Sequence, residues 1–167
     1  MKLVDFTVLD SARDWYCVTD SLMGGESGAQ LLTLPEGYGL FSGLVSLANG
    51  GGFASVYLDF EPKDVSAYLG VELEISAPER LFKINLKDVV SKERHVYQAR
   101  LGEVHSKQRH WCRYRIPFNH FVAMRRGLTA MAPPLDRFQV CGFGLVAGDG
   151  VEGEFSLAIR SISFYKH

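Results

Sequence analysis

The sequence predicts an all-β domain, an antiparallel two-layer sandwich of jelly-roll type. Three observations carry that expectation. Apolar residues alternate with polar ones almost everywhere, as in LGVELEIS, where Leu69, Val71, Leu73 and Ile75 are apolar and Glu72, Glu74 and Ser76 polar. Gly, Pro, Asn and Asp break the chain at intervals of about ten residues, the spacing of short strands joined by turns. Helical stripes are nearly absent, with a turn or two near SAYL and NHFVAMRR as the candidates.

Each strand has its own warrant. Short alternating runs mark residues 3–9, 14–19, 29–34 and 38–47. FASVYLDF places Ala54, Val56, Leu58 and Phe60 on one face, and LFKINLK sets Phe82, Ile84 and Leu86 opposite Lys83, Asn85 and Lys87. In HWCRYRIP, Cys112, Tyr114 and Ile116 oppose Trp111, Arg113 and Arg115, and further strands are predicted at 95–101, 137–147 and 154–165. The apolar set of the last changes from Phe155, Leu157 and Ile159 to Ile162 and Phe164, which predicts a bulge near Arg160. Successive antiparallel connections emerge at alternate ends. The loop DSLMGGESG (20–28) should therefore share a rim with 48–52, 77–80, 102–109 and 148–153. The other end should collect LPEG, EPKDVSAY, DVVSKE and the stretch from Phe118 to Asp136.

Composition sets the bounds. A chain of 167 residues that is 47% hydrophobic is expected to form a single domain over residues 1–167. A net charge of -1 gives no global field toward nucleic acid or anionic lipid. Cys17, Cys112 and Cys141 are odd in number and widely spaced, as free thiols in a reducing compartment would be. The segment MKLVDFTVLDSARDW has Asp5 and Asp10 and no long apolar run, unlike a signal peptide, and no stretch reaches the roughly twenty apolar residues of a membrane span. The expectation is a cytoplasmic protein.

Two glycine-rich loops stand out. In MGGES, Gly24 and Gly25 allow a sharp reversal, Asp20 and Ser27 can accept or donate within the turn, and Met23 is a flexible apolar plug. Asn49, Gly50, Gly51 and Gly52 form a second turn, followed by Phe53. It is no phosphate loop, because neither Gly-Lys-Ser/Thr nor a helix follows. Two readings stay open: these loops only fold the chain, or Asp20, Met23, Gly24, Gly25, Ser27, Asn49, Gly51, Gly52 and Phe53 face a partner across the rim.

DSLMGGESG, FSGLVSLANGGGFASV, DVSAYLGVELEIS, YQARL, IPFNHF and FGLVAGDGVEGEFSLAIRSISF follow in the order and spacing of the complex I intermediate-associated protein family, which the chain resembles over about residues 15–165. After ELEIS it departs from the family pattern, with APERLFKINL in place of a Gly-Asp-Gly turn. The resemblance implies a galactose-binding-type sandwich. It also implies a noncatalytic, chaperone-like role in assembling NADH:ubiquinone oxidoreductase, with protein partners drawn from its subunits or intermediates.

Reactive chemistry has little to stand on. Ser27 in GGESGA lacks the spacing of a nucleophile elbow, and His95, His105, His110, His120 and His167 have no evident partners. His105, His110 and Cys112 could form a metal cluster, but no paired Cys-x-x-Cys supports one. Acidic loop residues such as Asp20, Asp149 and Glu152 would suit calcium and equally suit turns, so no metal and no cofactor is expected. Lys107, Arg109, Arg113 and Arg115 interleave with Trp111 and Tyr114, as in single-strand nucleic-acid grooves. Charge balance by Glu72 and Glu74 favours a solvated face, with Arg113 or Arg115 over the Trp111 indole, and no nucleic-acid partner is expected. The alternative function is a carbohydrate-binding module whose aromatic-lined sheet face presents Tyr57, Asp59, Trp111 and Arg113. The connection 118–136, with Phe121, Met124, Leu128 and Met131 beside Arg125 and Arg126, would cap the sandwich or bind protein.

Overall fold

A computed structural model describes residues 1–76, 78, 80–101 and 110–167, with the side chains of Leu22 and Met23 outside the description. Along the chain run β1 (Lys2–Asp5), β2 (Tyr16–Thr19), β3 (Gly28–Leu34), β4 (Tyr38–Val45), β5 (Ala54–Lys63), β6 (Gly70–Ser76) and β7 (Phe82–Asp88). Then follow β8 (Val96–Leu101), β9 (Trp111–Pro117), β10 (Val122–Arg125), β11 (Leu128–Thr129), β12 (Val140–Ala147) and β13 (Gly153–Tyr165). Every ladder is antiparallel.

The first sheet has the order β3-β4-β13-β6-β9, with β1 also paired to β13, and the second has β11-β10-β8-β7-β12-β5-β2. The period-two pattern explains which faces meet. Val56, Ile84, Leu86, Phe143 and Leu145 point inward from the second sheet, and Phe41, Leu73, Ile75, Leu157 and Ile159 from the first, all buried in one core. The bulge expected near Arg160 is present: the β13–β6 register shifts between Ile159 and Ser161, and β1 pairs beyond it. That shift lets one thirteen-residue strand keep its apolar face inward along its whole length.

Two expectations need correction. SAYL forms a turn and no helix, and NHFVAMRR is a single 3-10 turn (Phe118–His120) followed by β10. The free edge of β8 decides the second case: Val122, Ala123 and Met124 complete its ladder opposite Gln98, Tyr97 and Val96. A local helix would leave that edge unpaired. The 118–136 connection therefore extends the second sheet instead of only covering it.

Candidate functional site

The rim of glycine-rich loops closes around one carboxylate. Thr19 caps a 3-10 turn over Asp20–Met23, and Gly24 ends it at φ 85°, a left-handed conformation natural to glycine. Asp20 is completely buried. Its Oδ1 accepts the Ser27 amide at 2.9 Å, and its Oδ2 accepts the Ser27 hydroxyl at 2.6 Å and the amides of Gly52 and Phe53 at 2.6 and 3.3 Å. Ser27 Oγ in turn accepts the Ser46 amide at 2.9 Å, and Asn49 donates to the Gly24 carbonyl at 3.0 Å. A Cβ on Gly25 would stand 2.3 Å from the Asp20 Cγ, and one on Gly51 2.4 Å from its Oδ2. Both glycines are thus fixed by the bulk of the carboxylate they enclose.

Burial alone would raise the Asp20 carboxyl, but the hydrogen bonds from Ser27, Gly52 and Phe53 outweigh it and hold the group below the ordinary value of 3.8. Among the described residues, 48–52, Arg80 and 148–153 gather at this rim as the alternating connections predict. Arg80 joins it through an ion pair to Asp149 at 2.7 Å and a bond to the Gly153 carbonyl at 2.9 Å, and Glu152 accepts the Leu47 amide at 3.1 Å. Residues 102–109 and the Met23 side chain lie outside the described residues. Asp20 and Ser27 are turned inward, so neither is presented to a partner; Gly24 and Asn49 are exposed. The loops form a clasp that ties β2, β3 and β5 together.

The four residues expected to share an aromatic sheet face do not share it. Tyr57 and Asp59 lie on the outer face of β5 in the second sheet, whereas Trp111 and Arg113 lie on the outer face of β9 in the first. Strand parity is right for each pair, but the sheet to which a strand belongs is a tertiary fact. The guanidinium over Trp111 is that of Arg160, at 4.2 Å, with Tyr38 on the same indole at 5.5 Å. Arg115 pairs Glu72 at 2.7 Å and Arg160 faces Glu74 at 3.7 Å, so ion pairs cross this face.

On the second sheet, Gly142 and Gly144 leave room on β12 for the Tyr57 ring and the Lys87 stem; a Cβ on Gly144 would meet that ring at 2.4 Å. The Lys87 ammonium sits 4.2 Å over Tyr57, Tyr16 stacks beside it at 6.0 Å, and Asn85 donates to its hydroxyl at 2.6 Å. Tyr57 is consequently only 8% exposed. Its ring is enclosed, whereas a pyranose needs an open one. Tyr16 is more open, and burial together with its bond to Asp59 pushes its phenol up to about 12, so it remains a neutral donor.

Sequence reasoning missed the cavity at the opposite end, of about 860 Å³, walled by Leu69, Phe118, Phe121, Val122, Leu135 and Tyr165 among others. Around that end Leu69, Val122, Leu128, Met131 and Phe138 are exposed. The composition of 118–136 was the available signal; the partners from β6's approach and β13's end were not legible. For reactive groups, no cluster of three or more metal-ligating side chains occurs among the described residues. His105 lies outside them, and Cys112 Sγ hydrogen-bonds the His110 carbonyl at 3.6 Å. Cys17, Cys112 and Cys141 are free thiols. No described helix is long and apolar enough to cross a membrane.

Comparison with known proteins agrees with this architecture. The chain covers 95% of itself and 89% of a family 11 carbohydrate-binding module from Clostridium thermocellum solved with a β-1,3-1,4-mixed-linked tetrasaccharide, at 14% identity and TM-score 0.65. It covers 99% of itself and 93% of the family 11 module of the cellulosomal cellulase Lic26A-Cel5E of the same organism, at 17% identity and TM-score 0.66. An agarase, AgWH50C, matches 98% of this chain over 24% of its own length, at 11% identity and TM-score 0.60. At such identities the likeness is one of fold. No curated protein matches significantly by sequence. The family model described as Complex I intermediate-associated protein 30 (CIA30) matches residues 4–159, and the chain belongs to that family.

Proposed function

We propose that this protein is a noncatalytic binding factor that shields apolar surface on assembly intermediates of respiratory complex I. Family membership across residues 4–159 supports the class of role. The observation that carries a protein-binding mode is the end of the sandwich opposite the clasp. There a cavity of about 860 Å³ opens among exposed Leu69 and Val122. Leu128 and Met131, at 73% and 105% exposure, lie on the 118–136 connection and, with Phe138 at 65% just past its end, extend the apolar surface. Apolar patches of this kind, rich in aromatics and Met and edged by Arg, are the composition of protein interfaces.

Affinity purification from the native cell with quantitative mass spectrometry should recover NADH:ubiquinone oxidoreductase subunits, and deleting the gene should leave partly built complexes on native gels. A partner-free monomer with normal complex I assembly would reject the reading.

A carbohydrate module is the second reading, favoured by the family 11 fold and the open ring of Tyr16 beside Asp59, and opposed by the enclosure of Tyr57. Titrating the mixed-linked tetrasaccharide while following amide shifts of β2 and β5 tests it. Shifts centred on Tyr16 would revive it, and an unchanged spectrum at millimolar sugar would remove it.

A further inference from the structure

We propose that the apolar groove takes a stretch of partner chain in which large apolar side chains are flanked by acidic ones, an inference that rests on the protein-binding reading above. The groove exists because the two sheets end in different places. The first sheet stops at β9, which lies across from β8, whereas the second continues past β8 into β10 and β11. Beyond β9 the inner face of β10 has no sheet opposite it. Phe118, Phe121 and the segment Ala130–Leu135 only partly fill that space, with Tyr97 holding the segment through a 2.7 Å bond to the Pro133 carbonyl. The remaining volume is walled by aromatic rings and prolines, groups that seat apolar side chains and supply few donors or acceptors of their own.

Its border is basic. Arg137 lines the groove with its guanidinium 5.7 Å over Phe118, and Lys166, next to the lining residue Tyr165, lies 5.0 Å over the Tyr68 ring. Arg125 leaves β10 on the same side as Ala123, a groove residue, and Arg126 follows in the turn at φ 51°. None of these four cations forms an ion pair among the described residues. The neighbouring Asp136 accepts the Phe138 amide at 3.0 Å, so it is engaged within its own loop. Cations lodged on aromatic walls beside an apolar trough favour an occupant that brings carboxylates to the border. Leu128, Met131 and Phe138 carry the apolar surface outside the groove. That spread favours a protein segment over a single lipid chain or metabolite.

The test is site-specific photocrosslinking in the native cell. p-Benzoylphenylalanine replaces Leu69, an exposed residue of the groove wall, or, at the opposite end, Val151, and is read with and without the double charge reversal Arg125→Glu/Arg137→Glu. The expected result is a protein adduct at position 69 whose crosslinked peptide is apolar with acidic flanks, with yield falling about fivefold or more on charge reversal. Adduct at position 151 alone, a lipid adduct at 69, a peptide without acids, or a yield unmoved by charge reversal would overturn the groove assignment while leaving protein binding to be judged by the other site. Absence of protein adduct at both positions would reject protein binding itself. Both arginines are exposed, so the variant should retain its thermal midpoint; if it does not, Arg125→Gln/Arg137→Gln replaces it in the same experiment.

Discussion

Replacing Asp20 by alanine would leave the amides of Ser27, Gly52 and Phe53 without their acceptor, at a buried to half-buried site, and would leave the Ser27 hydroxyl with the Ser46 carbonyl at 3.2 Å as its remaining acceptor. Donors stranded in this way make the change expensive, about 3–5 kcal/mol. In a domain of this size that is a drop of roughly 6–20 °C in the thermal midpoint, readable by calorimetry. Asp20→Asn keeps the shape and should cost roughly half as much. The carboxyl also makes a prediction about pH. Its value in the fold lies below the ordinary 3.8, so its contribution is complete above 3.8 and is lost as pH falls through the lower folded value. Acid unfolding curves of wild type and Asp20→Asn should therefore converge below that range and diverge above it; parallel curves throughout would show that the carboxylate charge is not what the clasp uses.

Among the elements, the two glycine turns separate by mechanism. Gly25→Ala and Gly51→Ala drive a methyl group into a carboxylate locked by its own hydrogen bonds, and each should cost about 2 kcal/mol in urea unfolding. Gly24→Ala meets no atom within 4 Å and pays only for φ 85°, about 1 kcal/mol. Equal losses at all three would mean that backbone conformation alone shapes the loop. Arg80 closes the clasp from the other side, and Arg80→Met should speed amide exchange in residues 148–154 while leaving β12 protected. The strands themselves were legible because alternation is a local signal: β6, β7, β9 and the bulge in β13 follow from the order of apolar residues alone. The edge strand β10 was not, because Val122–Met124 are recruited by the open edge of β8, a neighbour that sequence spacing does not reveal. The glycine loops were visible as a pair, but only the fold shows that Asp20 faces inward between them.

At the scale of the molecule, the two ends of the sandwich are built differently. One end is sealed by a buried carboxylate and two ion-paired or hydrogen-bonded loops; the other ends in a groove where the two sheets fail to overlap. Sequence parity placed Tyr57, Asp59, Trp111 and Arg113 outward correctly, yet the sheet assignment that separates them is set by pairing between residues far apart in the chain, such as Gly144 with Tyr57 and Glu74 with Arg113. Recognition is proposed to belong to the open end, with the glycine clasp serving to hold the fold. Hydrogen–deuterium exchange on the protein alone and bound to the partner recovered by affinity purification tests it. New protection should appear across residues 117–137 with the exchange of 20–27 and 48–53 unchanged; protection confined to those two glycine loops would place recognition at the clasp instead.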